Sequence, residues 1–297
     1  MLIHLEQGAA RAEVSLRGGE LHGWFVENRN LLWQRDPKWW DRSAPILFPI
    51  VGWGNGGRIT VDGRPRPMGV HGFAAASAFD VVNRDHESVT LVLSDSDVTS
   101  AIYPFAFHLS VTYTLQETSL TAEFTVENAG TRVMPYALGF HPGFPWPLAD
   151  AARDNHFIAF EKSERSEVPV IAPGGLISER RRPVPIRDRR LALNDALFAN
   201  EALCFLDANS RRLTLHAGDS GPSISLETSD FPHLALWSLP GAPFVSMEAW
   251  TGHSDPEGFA GELAEKPSMR LLPPGESARH AAMFRFEPGP ASVSAPV

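Results

Sequence analysis

Cysteine is nearly absent: Cys204 is the only one in 297 residues. A single thiol excludes an intrachain disulfide, so packing alone must hold the chain, and a reducing, cytoplasmic setting is expected. Basic charge is in deficit, with 26 Lys and Arg against 35 Asp and Glu and a formal net charge of −9. That balance argues against nucleic acid or an anionic membrane as the main partner. No apolar run is long enough to span a bilayer. The opening MLIHLEQGAARAEV lacks the basic-then-apolar order of a secretory signal. Sustained helical periodicity is scarce; LALNDALFANEAL (Leu191 to Leu203) offers one short helical candidate.

What the chain has instead is alternation. In YPFAFHLSVTYTL, Phe105, Phe107, Leu109, Val111, Tyr113 and Leu115 fall on one face, with Ala106, His108, Ser110, Thr112 and Thr114 on the other. After the turn-like QETS, Leu120, Ala122, Phe124 and Val126 repeat the pattern, which predicts an antiparallel hairpin. ESVTLVLSD and PSISLETSD read as further strands, FPHLALWSLPGAPFVSMEAW as two strands joined by PGAP, and HAAMFRFEP as a closing strand. With 43% hydrophobic residues there is ample core, and 25 prolines and 24 glycines supply turns. The expected fold is all-β, a large antiparallel β-sandwich in a single domain over residues 1–286. The small, Pro-rich segment 287–297 is expected to be a disordered tail.

Gly52, Gly54 and Gly57 have the G-x-G-x-x-G spacing of a phosphate-cradling loop. That loop requires a helix immediately afterwards, because the pyrophosphate sits on the helix N-terminus. Gly57 leads instead into RITVDGRPRP, a short strand and an Asp-Gly turn, so the nucleotide reading fails. The run ERRRPVPIRDRR (Glu179 to Arg190), with six arginines and two prolines, reads as a solvated loop or as an anion-gripping one.

Three segments carry polar residues in apolar, turn-rich surroundings: GVHGFA with His71, ALGFHPGFPWP with His141, and FVSMEAWTG with Glu248. A carboxylate inside a buried strand must be paired, protonated or used. Eight tryptophans, among them Trp53, Trp146, Trp237 and Trp250, offer flat faces of the kind a sugar's C–H face stacks on.

The succession LLWQRDPKWWDRSAPILFPIVG, HGF, YPFAF, GFHPGF and MEAWTG resembles the aldose 1-epimerase family, and within it the LacX-like branch of the galactose-mutarotase-like fold. The resemblance runs from about residue 20 to 285. It implies a β-sandwich whose open face holds an aldose, with no cofactor and no metal. It also implies His141 as general acid, Glu248 as general base, His71 as a substrate contact and Arg58 as a substrate-binding arginine; Phe73, beside His71, and Trp237, as a flat ring near the site segments, are expected as further substrate-binding residues. The glycines at 52–57 would let a loop pass close to the sugar. The sequence departs from LacX-like relatives at Ala249, where they carry proline. The aspartate that binds sugar hydroxyls in other mutarotases has three candidate counterparts, Asp195, Asp207 and Asp230.

Interconverting α and β anomers needs a base at the C1 hydroxyl and an acid at the ring oxygen, roles that Glu and His fill near neutral pH. Two other classes remain open at this point. His71, His141 and Glu248 also form a two-histidine, one-carboxylate set of the kind that binds iron. A non-catalytic carbohydrate-binding protein of the same fold would share the site. A glycoside hydrolase needs two carboxylates flanking one bond, and only one is well placed. Neither the aldose, nor whether it is phosphorylated, nor the oligomeric state has a sequence signature.

Overall fold

The computed structural model describes residues 1–149 and 151–289. Two antiparallel sheets face each other across the core. The larger has nine strands and contains the hairpin Phe107–Leu115 and Ser119–Asn128, whose register pairs Val111 with Phe124. Its next neighbour is the closing strand Ser277–Glu287. Along Phe107–Leu115 every second side chain is buried and the intervening ones are half-exposed, as the alternation predicts. Most of the expected disordered tail lies outside the described residues, although Glu287 still ends the closing strand.

The smaller sheet has six strands. Its order is Leu203–Phe205, His233–Trp237, Phe244–Trp250, Gly139–Phe140 and Ile46–Leu47, with Gly143–Pro145 pairing a second stretch of Phe244–Trp250. Every residue of Phe244–Trp250 is buried, yet its two faces differ. Val245, Met247 and Ala249 point into the core shared with the large sheet, as do Leu234, Leu236, Phe140 and Ile46. There Phe140 stacks on Phe284 of the closing strand, ring centroids 5.6 Å apart, and meets Phe124 edge-on at 5.3 Å. Each such ring, fully buried, contributes about 1.5–3 kcal/mol. Truncating Phe140 to alanine would cost roughly 3–5 kcal/mol.

The opposite face carries Ser246, Glu248 and Trp250, and over it lie loops together with Ile171 and Ile177 of a small two-stranded sheet. Apolar residues there form separate small clusters, one with Leu47, Cys204, Ala235 and Trp250, another with Trp33, Ala242 and Phe244. Because strand side chains alternate, one strand thus serves a core on one side and a cavity on the other.

The helix expected over Leu191–Leu203 is not formed. A strand Arg190–Ala192, one 3₁₀ turn Asp195–Phe198 and the strand from Leu203 occupy that stretch. Leu191 and Leu193 alternate with exposed residues at strand period, and Asn194 starts the turn that buries Leu197 and Phe198. A short α-helix, Asp97–Ile102, escaped the sequence reading; Ser96 and Thr99 close it with reciprocal capping bonds.

The arginine-rich run is not a loop throughout. Arg180 to Arg182 belong to the strand Leu176–Pro183, which pairs with Glu167–Ala172. Arg182 donates to the carbonyls of Leu197, Glu201 and Ala202, and Arg190 pairs with Asp219. Like charge and proline hide the strand period in that run. No helix among the described residues is long and apolar enough to cross a membrane.

Candidate active site

Strand register brings the site together. Phe140 lies opposite Ala249 and Gly143 opposite Ser246. The same antiparallel register, carried one residue beyond Phe140, sets His141 opposite Glu248. On the other side of Glu248 comes Ala235, and beyond it Cys204. The backbone N–H of His141 donates to the Pro45 carbonyl. Cys204, Ala235, Glu248, His141 and Pro45 therefore form one row across the floor of a cavity of 530 Å³.

Nε2 of His141 is 3.3 Å from Oε2 of Glu248. The hydroxyl of Ser246 donates to the Pro142 carbonyl at 2.8 Å, so its oxygen is left to accept from Nδ1 of His141, 2.9 Å away. That bond keeps a proton on Nδ1 and makes Nε2 the nitrogen whose proton can move. The indole N–H of Trp250 donates to Glu248 Oε2 at 3.0 Å. Glu248 is only 1% exposed. Its burial pushes the carboxyl pKa up to about 8, against the weaker pull of the Trp250 bond. Burial holds His141 well below the ordinary imidazole value, and the neighbouring His71 adds to that. Charge on either group alone is disfavoured, so around neutrality the pair holds one proton between them.

Two indoles enclose the His141 ring. Trp40 lies over it at 4.8 Å and Trp237 meets it edge-on at 5.5 Å. Such faces stabilise an imidazolium when it forms. Gly143 permits this approach, since a Cβ there would stand 2.9 Å from the Trp40 ring.

His71 is held differently. Its backbone N–H donates to the Gly52 carbonyl at 2.8 Å, and the Gly52 N–H donates back to His71 Nδ1 at 3.0 Å. Nδ1 is thus an acceptor and the proton sits on Nε2. Burial lowers this imidazole to about 4, so His71 is a neutral donor at any ordinary pH. Gly52 adopts φ +73°, and a Cβ on it would lie 2.0 Å from Ser254 Oγ. The glycines serve a close backbone approach, and the strand Arg58–Val61 comes directly after them with no helix. Ser254 Oγ accepts from the Trp53 N–H, and Asp255 accepts from the Asn55 N–H. Asp255 is in turn paired with buried Lys266 at 3.0 Å, which braces the loop.

Of the six residues expected in the site, His71, His141, Trp237 and Glu248 line the cavity. Arg58 and Phe73 do not. Arg58 opens the Asp62–Gly63 hairpin, is exposed, and lines a neighbouring cleft with Asn55 and Phe259. Phe73 packs on Phe48, Tyr103 and Phe107, because the chain turns its ring into the core straight after Gly72. The arginine that does reach the cavity is Arg42, which bonds the Ala75 carbonyl and Glu20. Asp195 and Asp230 pair with Arg153 and Arg270, and Asp207 gives its backbone N–H to His233 Nδ1; none of the three lines the cavity. Trp40, Arg42, Cys204, Glu201 and Ser246 escaped the sequence reading. Alternation in FVSMEAW puts Ser246 on Glu248's face together with Trp250, a signal that could have found Ser246. Among the described residues no three His, Cys, Asp or Glu side chains are grouped to hold a metal ion.

A family model for aldose 1-epimerase matches residues 1–285. The chain belongs to the aldose 1-epimerase family. It is 31% identical over 287 residues to the plasmid-borne protein LacX of Lactococcus lactis, covering 92% of this chain and 95% of LacX. Its fold matches that of a galactose mutarotase-like protein from Lactobacillus casei with a TM-score of 0.90 at 30% identity, covering 97% of this chain and all of the other. A galactose mutarotase related enzyme from Lactobacillus acidophilus gives 0.90 at 27%, over 99% and 100% of the two chains. Both solved structures share this chain's fold.

Proposed function

We propose that this protein is an aldose 1-epimerase, interconverting the α and β anomers of a free aldose. The observation that carries the reading is the 3.3 Å contact between His141 Nε2 and Glu248 Oε2 on the floor of an aromatic-walled cavity. The two oxygens that exchange protons in mutarotation, the C1 hydroxyl and the ring oxygen, share one carbon. An acid and a base serving both must therefore lie side by side, and these two do.

Transfer of the shared proton to Nε2 makes a carboxylate and an imidazolium. Glu248 then takes the proton of the C1 hydroxyl while His141 gives its proton to the ring oxygen. The C1–ring-oxygen bond breaks and the open aldehyde forms. After rotation about C1–C2 the steps reverse, and the ring closes on the other face. The pair ends with one proton, as it began, so the cycle balances without electrons or a transferred group. His71 donates from Nε2 to a sugar oxygen and orients the ring. Each positioned acid or base contributes about 10²–10⁴-fold.

A phosphorylated sugar is less favoured, because the guanidinium of Arg42 already faces the Glu20 carboxylate at 3.3 Å. The deciding experiment is polarimetry of freshly dissolved α-glucose and α-galactose with and without the protein. Equal rates in its presence and absence, for both sugars, would refute the activity on these free aldoses.

A further inference from the structure

Glu20 is as deeply buried as Glu248, each only 1% exposed, yet the proton exchange proposed above does not use it. The two carboxyls are kept in opposite states. Burial pushes Glu248 up to about 8. Burial acts on Glu20 in the same direction, but the groups of His22, Ser43 and Arg42 around it outweigh that and hold its carboxyl below the ordinary value. Glu20 is therefore an anion at neutral pH, and a buried anion persists only where donors meet it.

Those donors come mainly from one segment. Oε1 accepts from the backbone N–H of Ser43 at 2.7 Å and of Ala44 at 3.2 Å, and Oε2 accepts from Nη1 of Arg42 at 3.3 Å. The Ser43 hydroxyl donates to the carbonyl of Leu21, Glu20's neighbour in the chain, at 2.7 Å. Residues 42–45 belong to no strand or helix, so no ladder fixes their path. They nonetheless carry much of the site. The Ser43 carbonyl accepts from the Gly143 N–H at 2.8 Å and the Pro45 carbonyl from the His141 N–H at 3.1 Å, which holds the chain at His141 and again just beyond it. Arg42 and Pro45 line the cavity, and Trp40 lies over the His141 ring. Glu20 does not line the cavity itself, so it acts there through this segment.

Resting on the mutarotase reading above, we propose that Glu20 is a positioning residue of the site and that its two oxygens have separate tasks. Oε1 fixes Ser43 and Ala44, and with them the backbone that holds His141 against Glu248. Oε2 aims the Arg42 guanidinium into the cavity.

Glutamine separates the tasks, because it keeps the length and one oxygen. The Ser43 and Ala44 N–H groups can only donate, so that oxygen stays on them and the amide nitrogen turns toward Arg42, which also only donates. Glu20→Gln should raise KM about fivefold, the worth of one hydrogen bond, with kcat little changed. Added to Arg42→Ala, the same change should move KM no further. Glu20→Ala removes both tasks and should also lower kcat by about tenfold, as His141 shifts against Glu248. The ring nitrogens of His141, read by 15N NMR without any sugar, should move in Glu20→Ala and stay in Glu20→Gln. Should the alanine variant not fold, Glu20→Asp, one methylene shorter, draws the carboxylate back from both partners and takes its place in the test. Wild-type KM in Glu20→Gln, or a KM that still rises when Arg42 is already alanine, overturns the task of Oε2. An unmoved His141 ring in Glu20→Ala or Glu20→Asp overturns that of Oε1. A wild type without mutarotation whose His141 ring answers to Glu20 as described would sink the catalytic reading and keep the positioning; mutarotation with none of these changes would sink the positioning alone.

Discussion

His141 and Glu248 are cross-strand neighbours: the register that pairs Phe140 with Ala249 and Gly143 with Ser246 leaves them opposite each other, 3.3 Å apart. Their separation is set by backbone hydrogen bonds on both sides rather than by flexible loops. A site on paired strands holds its geometry more tightly than one on loops. The acid and base do not straddle a sugar ring; they touch, as proton exchange at two oxygens of one carbon requires.

Glu248→Gln should abolish mutarotation while keeping the fold, because the amide can still accept from Trp250 and meet His141. It should also stabilise the protein at neutral pH. The buried carboxyl titrates near 8 when folded, above its usual 4.5. Between those values the folded state binds the proton that the unfolded state has released, so stability falls as pH rises through that window. The full penalty approaches about 5 kcal/mol, reduced by the His141 partner. Thermal unfolding should show the variant more stable by about 1–3 kcal/mol at pH 8, with the gap closing toward pH 4.5. A variant less stable at pH 8 would contradict the raised value.

The pH profile of kcat/KM should be broad. On the alkaline side activity falls near 8, where Glu248 gives up the proton the pair shares. On the acid side it falls only well below 6.5, where buried His141 at last accepts a second proton and no base remains. The measurement is initial polarimetric rate with the spontaneous rate subtracted at each pH. An acid limb at or above 6.5 would point to a different base.

Ser246→Ala removes the acceptor that holds a proton on His141 Nδ1. Imidazole can then turn or change tautomer, and kcat should fall by roughly 10-fold with KM little changed. His141→Asn, which removes the proton carrier itself, should cost at least ~10²-fold. Equal losses in the two variants would mean that Ser246 does more than orient the ring.

Two arginines separate the sequence reading from the structure. Arg58→Ala, on the neighbouring cleft, should leave mutarotation within about twofold of wild type, as surface changes away from a site do. Arg42→Ala should raise KM by about tenfold, since it removes a charge-assisted donor from the cavity wall and frees Glu20. Reversal of that order would restore Arg58 to the site.

The main strands were legible because burial on one face writes a two-residue period into the chain, as from Phe107 to Leu115. The stretch Leu191 to Leu203 misled for the same reason in reverse: four leucines at mixed spacing fit a helix until tertiary contacts split them between two strands and a turn. Phe73 and Arg58 sit beside motif residues in the chain, but side-chain direction after Gly72 and after Gly57 is a backbone matter that adjacency does not reveal. Trp40 and Arg42 carry no signal of their own, because a loop has no periodicity to mark which side chains turn inward.

By itself the sequence determined the strand pattern, the want of a helix after Gly57 and the residue types available for proton transfer, since all of these come from local alternation and composition. Only the tertiary structure decided that His141 and Glu248 touch, that Ser246 and Gly52 set which nitrogen of each histidine bears a proton, and that Arg42 enters the cavity where Arg58 does not. Those facts depend on register and chain direction between segments far apart in sequence, and no local stretch of residues encodes them.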